Sequence, residues 1–292
     1  MSSTLTQSVI HEFSDRGALA KHVHHYHHRQ SQTDMAVAVS DAIAKKHNLI
    51  LEAGTGVGKT YAYLIPALLS GKQVVVSTGS KNLQEQLFLK DLPALLAMLD
   101  VHVPIALLKG RNNYLCQLRL EKQMQNASQF SEYYIDDLLK INQWAHLSKD
   151  GDIGNLTSVA EHSEVIPTVV STKETCTGKK CDHYDVCFTR KARIRAMEAK
   201  VVVVNHHLFF ADRLLKDTGF AELLPDPDVV IFDEAHLVPD ICINYFGSHI
   251  SSREIDLLLN GIIKIHKQVI RDSIQIEQLS QRELVALSAW HN

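Results

Sequence analysis

Six short runs of apolar residues punctuate the chain: NLILE at 48–52, QVVVST at 73–78, VPIALL at 103–108, PTVVS at 167–171, KVVVVN at 200–205 and DVVIFD at 228–233. Their apolar residues are consecutive, with valine and isoleucine prominent. A strand with one face in water alternates polar and apolar positions, so these runs predict strands covered on both faces, as in a parallel sheet. Helical spacing recurs between them. From residue 31, Met35, Val37, Val39, Ile43 and Ala44 predict a helix ending near His47. KTYAYLIPALLSG predicts a helix closed by Gly71, and SKNLQEQLFLKDLPALLAML one opened by Ser80 as N-cap. Strand alternating with helix gives an α/β fold built on a parallel sheet.

The stretch 117–165 is more polar, lacks strand signals and reads as a helical insertion. After residue 240, REIDLLLNGIIKIHKQVIRDSIQIEQL is helical in pattern, and this continues to the end. The first 30 residues close with KHVHHYHHRQ, whose five histidines within seven positions are interrupted by Val23 and Tyr26. That interruption leaves no recognised ligand spacing, so the segment is expected to be a solvated lead-in. No internal repeat is present.

Composition narrows the classes. At 292 residues and 45% hydrophobic, the chain can bury a sizeable core. Its 30 basic and 33 acidic residues leave a net charge of −3, so any nucleic-acid surface must be local. No basic start leads into an apolar N-terminal run, and no stretch approaches the about 20 apolar residues that span a bilayer. A cytosolic protein is expected. In a reducing compartment, clustered cysteines are metal ligands before they are disulfides. Three of the five cysteines lie in CTGKKCDHYDVC at 176–187, one ligand short of a closed site.

Candidate chemistry begins after the first apolar run, at EAGTGVGKTYAYL, 52–64. Gly54, Gly56 and Gly58, with Thr55 between the first two, let the backbone turn tightly and aim N–H groups at phosphates. The positive N-terminus of the following helix lies beside them. Lys59 would reach the β- and γ-phosphates and Thr60 would ligate Mg²⁺; Ala53 replaces the first glycine of the G-x-x-x-x-G-K-[ST] pattern. The second half is VVIFDEAH, 229–236, where a strand ends in two acids at the carboxyl edge of the sheet. Asp233 there can hold Mg²⁺ and Glu234 can orient and deprotonate the attacking water.

With both motifs the chain resembles superfamily 2 helicases of the DEAH type, and more finely their iron–sulphur branch, the XPD/DinG family, in its bacterial DinG/YoaA-like form. RQSQ at 29–32, EAGTGVGKT, VVVSTGSKNLQEQL at 74–87, LKGRNNYLC at 108–116, the cysteine cluster, VVVNHHLFFAD at 202–212 and DEAH carry the resemblance, in family order. It implies a RecA-like domain over 31–110 and 196–240, an iron–sulphur insertion over 111–195, and the start of a helical Arch-like domain over 241–292. Arg29 and Gln32 would serve the adenine side, and His236 would couple the nucleotide site to nucleic acid or a neighbouring domain. Cys116 would join Cys176, Cys181 and Cys187 around a [4Fe–4S] cluster. Zinc stays open as a competitor, since His183 lies inside the cluster; Cys242 is expected to be an ordinary buried thiol.

Ser77, Thr78 and Lys81 would grip the DNA backbone, and Lys179, Lys180, Arg190 and Arg193 would contact phosphates near the insertion. The implied activity is ATP-dependent, 5′ to 3′ unwinding in DNA repair, acting on single-stranded and forked duplex DNA. Motors of this class use two RecA-like domains. Nothing after Asp233 and Glu234 resembles a second, so the chain reads as the N-terminal part of a helicase, expected to bind ATP–Mg²⁺ weakly and turn over little.

Overall fold

The structure, a computed structural model, describes residues 4–54, 56–217, 223–247, 251–266 and 274–289. By its contacts the chain divides into two compact units, 1–241 and 242–292.

The first unit is organised by four parallel strands, β1 (Val74–Thr78), β2 (Ile105–Leu107), β3 (Val201–Asn205) and β4 (Val229–Phe232), in the order β2-β3-β1-β4. Val74 stands in register with Val201 on one side and Val229 on the other. The inner strands β1 and β3 are buried almost throughout, which is why they open with three and four valines. Outer β4 is half-buried. All four strands run the same way, so Thr78, Asn205 and Asp233 arrive together at one edge.

Helix α3 (Gln30–Lys45) packs on α4 (Lys59–Leu69), and Leu64 and Ile65 of α4 join Val74, Val76, Val201 and Val203 in the core. Burying each such side chain contributes about 1.5–3 kcal/mol. The helix predicted from Ser80 forms in pieces: α5 (Lys81–Gln86), a π-helical turn at Leu87–Asp91, and α6 (Leu92–Met98). Ser80 Oγ accepts the Leu83 N–H as predicted. Pro93 in the first turn of α6 has no N–H for the carbonyl four residues back, and there the ladder widens, the Leu92 N–H reaching Leu87 O. The parallel sheet and its covering helices are consistent with a RecA-like α/β fold.

The insertion is helical as its composition predicts, with α7 (Gln117–Gln125), α8 (Glu132–Leu147) and α10 (Phe188–Glu198) as its main elements. Helix α11 (His206–Asp217) follows β3, its first turn capped by Asn205 Oδ1 accepting from Leu208 N at 2.8 Å. Beyond β4 the chain is helical among the described residues, with α12 (Val238–Phe246), α13 (Ser252–Ile265) and α14 (Ile274–Ala289), the last two packed on one another. No described helix is long and apolar enough to cross a membrane.

Three expectations are corrected. The run 48–52 is not a strand: Leu49, Ile50 and Leu51 are exposed, Ile50 at 95%. An apolar run becomes a strand only if a neighbour takes up its backbone groups, and no described strand runs beside this one. PTVVS is not a strand either. Pro167 opens a short helix, α9 (Ile166–Val169), because its fixed φ suits the first helical turn, and Val170 alone bridges to Leu115. Nor is the N-terminal segment a solvated lead-in. Helices α1 (Thr4–Glu12) and α2 (Ala18–His22) place Val9, Phe13 and Leu19 in the main core, and Tyr26 Oη donates to Phe13 O at 2.7 Å.

Candidate nucleotide and cysteine sites

The glycine-rich loop leads into α4 through Gly58, whose φ of +87° belongs to the left-handed region. A side chain there would meet Gln32 Nε2 at 2.2 Å, so glycine is required twice over, by conformation and by space. Gln32 donates to Gly58 O at 3.0 Å and Arg29 donates to Gly56 O, which draws both residues of the RQSQ signature onto the loop. Lys59 Nζ folds back to Ala53 O at 3.2 Å. Gly54 is exposed and Thr55 lies outside the described residues.

Asp233 stands at the end of β4, its N–H bonded to Ser77 O at 2.8 Å. Phe232, the residue before it, is clamped by Phe209 and Phe210 of α11 at centroid distances of 4.9 and 5.9 Å. Burial and then the neighbouring Glu234 charge raise the Asp233 carboxyl, while Tyr63 and the Lys59 ammonium pull it back down. The Lys59 charge thus acts on Asp233 across the two separated motifs. The Tyr63 hydroxyl is raised by burial and by Asp233, and it makes no hydrogen bond of good geometry. Glu234 takes a left-handed conformation, φ 58° and ψ 45°, uncommon for a residue with a side chain. Exposed His236 turns its Nδ1 toward Glu234 Oε2 at 3.3 Å.

Residues proposed at the DNA edge separate on inspection. Ser77 and Thr78 are fully buried, with Ser77 Oγ 2.7 Å from His206 Nδ1 and Thr78 Oγ1 donating to Ser80 O. Their side chains serve the interior. Lys81, Lys179 and Lys180 are exposed. Arg190 lies over the Tyr184 ring at 4.6 Å. Arg193 is turned inward: burial and the nearby Arg111 lower its guanidinium, while Cys176 and Cys187 raise it.

The LKGRNNYLC stretch anchors Cys116 in the insertion. Leu115 N bonds Gly151 O and Cys116 N bonds Val169 O, both at 2.8 Å, so the chain is pinned between two segments of the insertion. Cys116 then caps α7, and Cys187 caps α10. Burial raises the Cys116 thiol, the Arg119 backbone N–H lowers it, and Cys187, Cys181 and Cys176 are the charges that raise it further. All four cysteines are free, yet among the described residues no three acidic, thiol or imidazole groups stand at metal-binding spacing. His183 is held by Glu121 at 2.7 Å. Cys242 is half-buried, not buried.

Two residues escaped the sequence reading. Lys109, only 4% exposed, sits between Glu85 and Asp152, and His206 is buried beside Ser77. A polar residue that ends or follows an apolar run was the available signal for both.

The DEAD/DEAH box helicase profile matches residues 33–130. The chain is 46% identical over 271 residues to the ATP-dependent DNA helicase YoaA of Escherichia coli, covering 93% of this chain and 43% of that protein. It is 45% identical to YoaA of Haemophilus influenzae over 92% of this chain and 42% of that protein. With the ATP-dependent helicase DinG of Mycobacterium tuberculosis the identity is 29%, over 85% and 40%. The chain thus spans less than half the length of these curated relatives.

Proposed function

From the premise that this chain carries a DEAD/DEAH box helicase domain related to the YoaA and DinG helicases, we propose that it is the ATP-binding N-terminal motor portion of an ATP-dependent DNA helicase. The observation that carries the reading is that Arg29 and Gln32 both donate to carbonyls of the glycine-rich loop that opens α4 at Lys59, with the Lys59 charge acting on Asp233 at the end of β4. Arg29 and Gln32 rest on the same loop and complete the nucleotide side. Lys59, released from Ala53 O, neutralises the β- and γ-phosphates. Thr60 and Asp233 hold Mg²⁺, which supplies charge neutralisation at those phosphates when bound. Glu234 orients the attacking water and takes its proton.

On this reading Cys116, Cys176, Cys181 and Cys187 hold a [4Fe–4S] cluster. What supports it is the donor set: four free thiols within one insertion, Cys116 and Cys187 at the N-cap positions of α7 and α10, with the other three cysteines acting electrostatically on Cys116. His183 is engaged with Glu121, which argues against a Cys₃His zinc set. The cluster region with exposed Lys179 and Lys180 contacts the phosphates of single-stranded and forked DNA. The 5′ to 3′ polarity and a role in repair rest on the family resemblance alone. The domain assignment made from sequence, with 111–195 inserted between two parts of the motor, stands as part of this proposal.

The test is equilibrium binding of a fluorescent ATP analogue with and without Mg²⁺, and of a fluorescein-labelled oligothymidylate, to this chain. Mg²⁺-dependent nucleotide binding lost in Lys59→Ala, together with salt-sensitive DNA binding, is expected. Nucleotide binding indifferent to Mg²⁺ and to Lys59→Ala would sink the reading.

A further inference from the structure

His206 opens α11 at the carboxyl edge of the sheet, and its ring is wholly buried. Nδ1 lies 2.7 Å from Ser77 Oγ, whereas Nε2 is buried and makes no hydrogen bond of good geometry. The backbone at Asp233 and Glu234 faces the ring and favours its protonated form, which is the effect of carbonyls rather than N–H groups; burial outweighs it and keeps the imidazole low. A buried nitrogen without a well-formed hydrogen bond is costly. Such a group calls for a reason, and an alternative state in which it finds a partner is one.

The surroundings supply two ends for such a state. Glu234 takes a left-handed backbone conformation that a residue with a side chain rarely adopts. Across from it, β1 ends at Ser77 and Thr78 and runs through Gly79 and Ser80 into α5, which begins with exposed Lys81. The two segments are in direct contact. Asp233 N donates to Ser77 O at 2.8 Å, and a side chain on Gly79 would meet Leu237 Cδ1 at 2.5 Å. His206 is the side chain that reaches from one segment to the other, by way of Ser77 Oγ on one side and the Asp233–Glu234 backbone on the other.

We propose that His206 is a positioning residue that couples the Asp233–Glu234 turn to the Ser77–Lys81 segment, so that nucleotide occupancy sets the affinity of that segment for a phosphate backbone. The proposal rests on the function proposed above. When Mg²⁺–nucleotide draws on Asp233 and Glu234, the turn moves against Nε2. The ring is held by Ser77 Oγ and cannot shift without moving the end of β1. Coupling of this kind is reciprocal, since a nucleotide that tightens DNA binding is itself tightened by DNA to the same factor.

The experiment measures the dissociation constant of fluorescein-labelled oligothymidylate with and without saturating Mg²⁺–ATPγS, and takes the ratio. The wild-type chain is expected to give a ratio of about 5- to 150-fold, the range of allosteric couplings, and to give the same factor when ATPγS is titrated with and without DNA. His206→Asn keeps a polar group near Ser77 but has nothing at Nε2, and Ser77→Ala removes the other half of the link. Both are expected to bring the ratio within twofold of one while each ligand still binds. Leu138→Val, a core substitution in α8 remote from the link, should leave the ratio at the wild-type value. If His206→Asn is poorly folded, Ser77→Ala decides. Wild-type binding of both ligands without coupling, or a wild-type ratio in a folded His206→Asn or Ser77→Ala chain, overturns this inference alone. Failure of the wild-type chain to bind either ligand overturns the proposed function and this inference with it.

Discussion

Lys109 and Asp152 form an ion pair at 2.7 Å, with the lysine ammonium almost wholly buried. A second carboxylate, Glu85 of α5, meets the same ammonium at 2.6 Å, and the Lys109 N–H bonds Tyr114 Oη at 3.0 Å. Burial lowers the Lys109 ammonium, but the hydrogen bonds it donates to Asp152 and Glu85 win and raise it. The pair ties the insertion to the helix that follows the Ser77–Ser80 edge. Removing one partner of a buried pair leaves an uncompensated charge, so Lys109→Met is expected to cost about 3–5 kcal/mol. Glu85 is 40% exposed, and Glu85→Gln should cost less than about 1 kcal/mol. Urea unfolding of both variants checks this; equal losses would deny Asp152 a special place.

Asp233 should trade stability for function. Its carboxyl is raised in the folded protein, chiefly by burial and then by Glu234. A raised carboxyl binds its proton more tightly when folded, so its stabilising effect is present below the unfolded value of about 3.9 and is lost as pH rises through the folded value. Asp233→Asn is therefore expected to melt higher than wild type at pH 7 without Mg²⁺, with the difference vanishing near pH 4. Thermal melts across that range test the sign. A variant that melts lower at pH 7 would mean that Tyr63 and Lys59 together outweigh the burial.

Gly58→Ala introduces a Cβ where φ is +87° and Gln32 Nε2 stands 2.2 Å away. Displacing Gln32 takes the RQSQ signature off the loop. Nucleotide affinity should fall at least about 10-fold, or about 1.4 kcal/mol, while Gln32→Ala alone produces a smaller loss. Titration with a fluorescent ATP analogue distinguishes the two, and unchanged affinity in Gly58→Ala would show that the loop rearranges freely.

Iron, acid-labile sulphide and zinc measured on anaerobically purified chain address the cysteines. About four iron and four sulphide per chain are expected, lost in Cys116→Ser and retained in Cys242→Ser. About one zinc with no sulphide would replace the cluster with a structural metal and remove the iron–sulphur assignment.

The two nucleotide motifs were legible because their chemistry is local. Three glycines before Lys59 and Thr60, and two acids after VVIF, state their geometry within a few residues. The inner strands were legible for a related reason: burial on both faces favours consecutive apolar residues, and β1 and β3 open with three and four valines. The same signal misled at 48–52, where the apolar run is present but no described strand pairs with it, and at 167–171, where Pro167 set the backbone before the valines could.

What the sequence by itself determined was therefore the α/β class, the phosphate loop, the acid pair and the three clustered thiols, all fixed by residue type and short spacing, while Cys116 as a fourth thiol came from the family resemblance. Only the tertiary structure decided that Ser77 and Thr78 face inward, that Arg193 turns toward the cysteines, and that Lys109 and His206 join segments distant in the chain. These depend on which side chains meet across a sheet edge or a domain insertion. Hydrogen bonds and ion pairs act over about 3 Å, a distance that a position in sequence does not encode until the backbone has closed around it.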